Sequence, residues 1–186
     1  MIVAIITVVV IIIITIKYYF PALFGYEVDY VLANDGEKYI VMNLPDKKLA
    51  ANKLADLKRK INIIIDEVSK DRKTASEAFR KYKNVMSENA PGGQYTSYTV
   101  NKGDNVYMCL RNPDDNKFIN DNILMFVALH ELAHVATKSV GHTQEFWNNF
   151  RFLLKHAIDK GYYTYQPYHI KPVEYCGSKI SSTPTP

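Results

Sequence analysis

The apolar positions of this chain change period several times, and each change predicts a different element. Ile2 to Ile16 is an unbroken run of Ile, Val, Ala and Thr, closed by Lys17, Tyr18, Tyr19 and Phe20. Extended to Phe24, it is long enough to cross a bilayer core of ~30 Å at 1.5 Å per residue. Lys17 and the tyrosines suit the interface, so residues 1–24 are expected to form a transmembrane anchor. A basic stretch ahead of the run and a clear small-residue cleavage site are both missing, which argues against a removed signal peptide. Residues 26–44 then alternate around Asp35-Gly36, a hairpin signal. From Pro45 to about Val68 the period becomes helical, with Leu54, Leu57, Ile61, Ile64, Ile65 and Val68 on one stripe. Thr74 and Glu77 make a capping box for a further helix reaching about Met86.

Pro91-Gly92-Gly93 breaks that helix, and Tyr95–Val100 and Val106–Leu110 read as two strands around Asn101-Lys102-Gly103-Asp104. A polar loop over 111–117 leads to Asn120 or Asp121 as the cap of a strongly apolar helix. Phe146, Trp147, Phe150, Leu153, Leu154, Ala157 and Ile158 mark the buried side of a last helix ending at Gly161. Residues 176–186 read as a disordered tail. The pattern predicts an α+β domain over 25–175 behind the anchor.

The apolar helix carries the chemistry. His130, Glu131 and His134 spell H-E-x-x-H within it. Side chains at i and i+4 share a helix face, so both imidazoles can meet one Zn²⁺. Glu131, one residue on, can act as general base toward a water that the metal activates. A catalytic zinc takes three protein ligands and keeps one position open. His142 is the preferred third ligand, because Gly141 can end the helix in a left-handed turn and Thr143 can cap the next one. Glu145 competes for that place, since some zinc hydrolases use two His and a Glu. A structural zinc closed by His169 or Cys176 is the alternative that would make the protein non-enzymatic. A donor for the oxyanion of a tetrahedral intermediate is sought between Tyr162 and Tyr175, which hold five of the fourteen tyrosines.

The run H-E-L-A-H, a spacer, then H-T-Q-E-F-W resembles the WLM and SprT-like zinc metallopeptidases, whose pattern is H-E-x-x-H followed by a third His and a Phe-Trp pair. The matching positions are His130, Glu131, His134, His142, Phe146 and Trp147. The seven residues between His134 and His142 exceed the WLM spacing. The resemblance implies a zincin-like fold, with a small sheet packed on helices and H-E-x-x-H on the active-site helix. It implies Zn²⁺ held by His130, His134 and His142, Glu131 as the catalytic residue, and a protein or peptide substrate laid along the edge of the strand before the metal helix. A fainter similarity is to small membrane-anchored proteins of large DNA viruses. It implies a virion membrane, with neighbouring virion or membrane proteins as partners, and a structural protein that retains a zincin fold as the alternative function.

Charge and cysteines add location. Between Lys47 and Lys83 stand twelve Lys and Arg against five Asp and Glu. A solvated pair of helix faces is the plain reading, and contact with anionic lipid beside the anchor is the sharper one. Nucleic acid is not favoured, because no aromatic interleaving or nucleic-acid module accompanies the charge. Positive charge follows the anchor, which places the C-terminal domain on the cytosolic side of a single-pass membrane protein. Cys109 and Cys176 are too few for a disulfide framework, and one bridge between them is left open.

Overall fold

A computed structural model describes residues 2–19, 27–71, 77, 79, 80, 82–90 and 95–185. Helix α1 covers Ile2–Tyr19, 18 residues. Its apolar side chains from Ile5 to Ile14 stand exposed, with Ile5 57% and Ile14 62%. Here the sequence expectation is corrected. The helix is described as far as Tyr19, and Lys17 with the two tyrosines takes the last described turn. The purely apolar part, Ile2–Ile16, is then about 22 Å long, short of a ~30 Å hydrocarbon core. Among the described residues no helix is long and apolar enough to cross a membrane. The transmembrane anchor, and with it the single-pass location and its cytosolic orientation, is therefore not upheld. Residues 20–24 of the expected anchor lie outside the described residues.

The domain proper begins with the hairpin β1 (Val28–Leu32) and β2 (Lys38–Met42), antiparallel with Val28 opposite Met42 and Leu32 opposite Lys38. Gly36, at φ +84°, supplies the left-handed turn residue that joins them. Helix α2 (Lys47–Asp71) lays Leu54, Leu57, Ile61, Ile64 and Val68 into the core, as its apolar period requires. Its basic residues are mostly paired within the chain. Lys47 meets Asp29, Lys53 meets Asp121, Lys58 meets Glu37, and Arg59 and Lys60 share Asp56.

The further helix expected to reach Met86 is not there in its final part, and Thr74 lies outside the described residues. Asn84 adopts φ 59°, which no continuing helix tolerates. Met86–Glu88 is instead strand β3, paired in parallel with β5 (Asn105–Met108). Strand β4 (Tyr98–Val100) pairs antiparallel with β5 on the other side. The order β3-β5-β4 leaves β4 at an edge. A buried ion cluster ties this sheet to the hairpin. Glu88 accepts from Arg111 Nε at 2.8 Å and from Met42 N at 2.7 Å, and Arg111 also bonds Asp46. Neither partner of such a pair is tolerated alone in the interior.

Helix α3 (Asp121–Ala136) follows, capped by Asn120, whose side chain accepts from Asn122 N. Ten of its residues are buried, so it is apolar on nearly every side because it is packed on nearly every side. Helix α4 (Gln144–Asp159) lies against it through Phe146, Phe150, Leu153, Leu154 and Ala157. The tail expected to be disordered instead carries order. Val173–Tyr175 (β6) and Ser178–Ile180 (β7) form a hairpin around Cys176 and Gly177, both at positive φ. Thr183 beyond it is buried and accepts from Tyr168 N. What composition could not show is the tether: Cys176 is disulfide-bonded to Cys109, 67 residues earlier, just past the end of β5.

Candidate metal centre

The centre is built on one turn of α3 and one loop. His130 and His134 stack along the helix with ring centroids 4.9 Å apart, as the i and i+4 spacing dictates. The helix ends at Ala136, five residues before the Gly141 stop expected from the sequence. Thr137 is the reason: its hydroxyl donates back to Ala133 O at 2.6 Å, and its backbone is already extended. The Lys102 ammonium then donates to the carbonyls of Thr137, Lys138 and Ser139, placing a cation where the helix dipole is negative. Gly141 serves in the loop instead, with φ +83° immediately before His142.

That turn swings His142 back over the helix. Its Nε2 lies 3.1 Å from His130 Nε2, and its ring is 4.8 Å from His130 and 5.0 Å from His134. Thr143 caps α4, accepting from Phe146 N at 3.4 Å. Phe146, fully buried, lies against all three imidazoles, with centroid distances of 4.9, 4.4 and 4.6 Å to His130, His134 and His142. Trp147 flanks His142 at 5.7 Å. The Phe-Trp pair after the third histidine is thus the apolar floor that fixes the rings.

The donor set suits zinc. One ligand atom from each of the three histidines falls within a cluster no wider than 4.8 Å. Two nitrogens bound at about 2.0–2.1 Å to one tetrahedral ion stand roughly 3.3–3.4 Å apart, close to the observed 3.1 Å between His130 and His142. Burial pushes His130 down to about 3 and His134 down to about 4, with neighbouring imidazoles adding to both. Both rings are therefore neutral at pH 7, with lone pairs free for a cation.

Glu145, the competing ligand, is engaged elsewhere. It accepts from Lys138 N, Ser139 N and Ser139 Oγ at 3.3, 3.4 and 3.1 Å, and the Lys138 amide leads in holding its carboxyl below the usual range. It ties the loop on which His142 rides. The two alternative fourth ligands are not at the site either. Cys176 is locked in its disulfide, and His169 lies outside the cluster.

Glu131 is 6% exposed, and burial pushes its carboxyl up to about 7. Thr99 Oγ1 donates to its Oε2 at 3.1 Å. A cavity of about 280 Å³ opens beside these groups, lined among others by Ser97, Phe126, Glu131, His142, Trp147 and Tyr175. Of the aromatic segment 162–175, Tyr175 reaches this lining, but its hydroxyl donates to Cys109 O at 2.9 Å and meets Ser97 Oγ at 2.6 Å. Thr99 and Lys102 carried no signal for the site in the sequence, and Tyr175 was one of several aromatic candidates with nothing to single it out. Each reaches the site through a contact spanning more than thirty residues.

Comparison with known proteins gives the same architecture. The chain is 38% identical over 164 residues to uncharacterized protein R325 of Acanthamoeba polyphaga mimivirus, covering 83% of each protein. It is 31% identical over 129 residues to uncharacterized protein 136R of Invertebrate iridescent virus 6, covering 67% of this chain and 71% of that one. Both relatives belong to large DNA viruses. The crystal structure of Wss1 from Saccharomyces cerevisiae superposes with a TM-score of 0.52 at 22% identity, over 65% of this chain and 89% of that one, and so shares the fold. Zinc is the cofactor of this domain type, in accord with the histidine cluster described above. Residues 35–178 match the WLM domain over a span that takes in β2, α2, the β3-β5-β4 sheet and the entire histidine centre, and the chain belongs to the WLM family.

Proposed function

We propose that this protein hydrolyses peptide bonds, with zinc held by His130, His134 and His142 and with Glu131 as general base. The observation that carries the reading is the convergence of three imidazoles beside a buried carboxylate that is not one of the cluster's donors. Zinc, when bound there, supplies a positive charge that acidifies water and polarises a carbonyl oxygen. Glu131 takes the proton of the attacking water and returns it to the leaving amine. Strand β4, at the edge of the described sheet with β5 as its neighbour there, turns its outer side along the site toward an extended peptide. A closed structural zinc would need a fourth protein donor, and among the described residues the cluster has three.

The test is the full chain against an unfolded protein substrate such as labelled casein, with zinc content measured in parallel. Glu131→Gln is expected to keep about one zinc and the fold while hydrolysis falls about 10²–10⁴-fold, the usual share of a general base. Release of zinc by Glu131→Gln, or undiminished hydrolysis, overturns the assignment.

A further inference from the structure

On the reading of Glu131 as base, we propose that Thr99 is its positioning residue: one hydroxyl on the edge strand fixes which way the carboxylate faces. Strand β4 is three residues long, and its alternation decides the matter. Tyr98 stacks on Tyr107 of β5 with centroids 4.8 Å apart and an interplanar angle of 15°. That stack, with Thr99 opposite Val106 in the register, pins the pairing and turns Thr99 to the other face, toward α3. A slip of one residue would exchange the two faces and leave Glu131 without a donor.

The hydroxyl lies 3.1 Å from Glu131 Oε2 and 3.5 Å from the main-chain carbonyl of the same residue. It has one proton to give, and the shorter contact to a carboxylate takes it. Oε1 is left with no protein donor among the described residues, hence free for the water. The terminal torsion of a glutamate is broad and roughly two-fold, so a carboxylate with no such partner would sample orientations that aim neither oxygen correctly. Small misplacements of a reacting group reduce rate steeply. Valine has the shape of threonine and lacks the donor, which makes Thr99→Val the informative change.

Three measurements on the full-length, zinc-loaded protein decide the proposal. Thr99→Val is expected to keep about one zinc per chain and KM within about twofold while kcat falls about 10–100-fold. Thr99→Ser restores kcat to within about threefold, because it returns the donor and not the packing. Acetohydroxamic acid, a metal chelator whose N–H and O–H also present a proton to a neighbouring base, is expected to bind Thr99→Val about tenfold more weakly than wild type and Thr99→Ser nearly as well. If the Val chain does not fold, Thr99→Ala enters the same comparison with Ser. Unchanged kcat and unchanged hydroxamate affinity in Thr99→Val overturn the proposal, as does equal loss in Val and Ser. A wild type that binds hydroxamate yet cleaves no peptide overturns the peptidase reading instead, and the hydroxamate arm alone then decides Thr99.

Discussion

Helices α1 and α3 are built from similar material and meet opposite fates. Both are apolar on nearly every side, 18 residues in one and 16 in the other. Helix α3 buries ten of its residues against α2, α4 and the β4–β5 edge, whereas Ile5 to Ile14 of α1 stand about half exposed or more. An apolar run therefore does not name its own environment. The chain after α3 supplies a complementary surface, above all Phe146 and Phe150, while none of the described elements packs over α1. The polar exceptions differ as well. Helix α3 gathers His130, Glu131 and His134 on one stretch, where burial shifts their proton affinities; α1 carries Lys17 alone among charged residues.

The sharpest way to break this comparison is to make the same kind of cut in α3 that α1 should ignore. Leu129 is fully buried one residue before the first histidine. Leu129→Ala is expected to cost about 2–5 kcal/mol in urea unfolding, the usual transfer and cavity cost. A cost under about 1 kcal/mol would mean that α3 is not the packed centre of the domain.

A smaller effect comes from titration, which α3 can show and the described part of α1 cannot. In the zinc-free chain His130 and His134 are pushed down to about 3 and about 4 from 6.5. Each contributes stability that is present above pH 6.5 and is lost as pH falls toward its folded value. Glu131 is raised to about 7 from 4.5, so its contribution is present below pH 4.5 and is lost as pH rises through 7. Between pH 4.5 and 6.5 the unfolded chain therefore holds about two histidine protons where the folded chain holds one carboxyl proton. Stability should fall with acid by about 1.4 kcal/mol per pH unit, roughly 2–3 kcal/mol across the window. Urea titrations of chelator-treated protein at several pH values would check it. A flat profile would show that the imidazoles are not enclosed before metal binds.

The sequence made the metal helix legible because its signal is local. Two histidines four apart and a third in a Gly-containing bend need only helix geometry to meet, and the caps Asn120 and Thr143 are short-range chemistry. The hairpin at Gly36 and the stripe of α2 were equally local. What stayed hidden depends on distant partners. Met86 looks helical until β5 is there to pair with it. The tail looks too polar to fold until Cys176 is tied to Cys109. Thr137 ended α3 early through a back-bonding hydroxyl, a choice that side-chain pattern does not reveal. The anchor was misjudged for a related reason: its length was counted through aromatic residues to Phe24, whereas the purely apolar run ends at Ile16 and no helix among the described residues is long and apolar enough to cross a membrane. The basic run of α2 left lipid contact open beside the plain reading of solvated faces, because its acidic partners, Asp29, Glu37 and Asp121, lie outside that run.

The smallest expected effect is the most direct test of the contrast between the two helices. Val9 sits mid-way along α1 and is 48% exposed, a residue of the same apolar class as Leu129 in a helix of similar length. Val9→Ala removes little buried surface, because little is buried there. It also replaces a β-branched residue, whose χ1 is restricted in a helix, by the best helix former. The two terms are small and opposed, so urea unfolding of the domain should stay within about 0.5 kcal/mol of wild type, with zinc content unchanged. Paired with Leu129→Ala, the measurement compares one apolar truncation in each helix. A loss above about 1 kcal/mol from Val9→Ala would mean that α1 is covered in solution by a surface that its exposed side chains do not reveal. The difference between the two helices would then be one of partner rather than of burial.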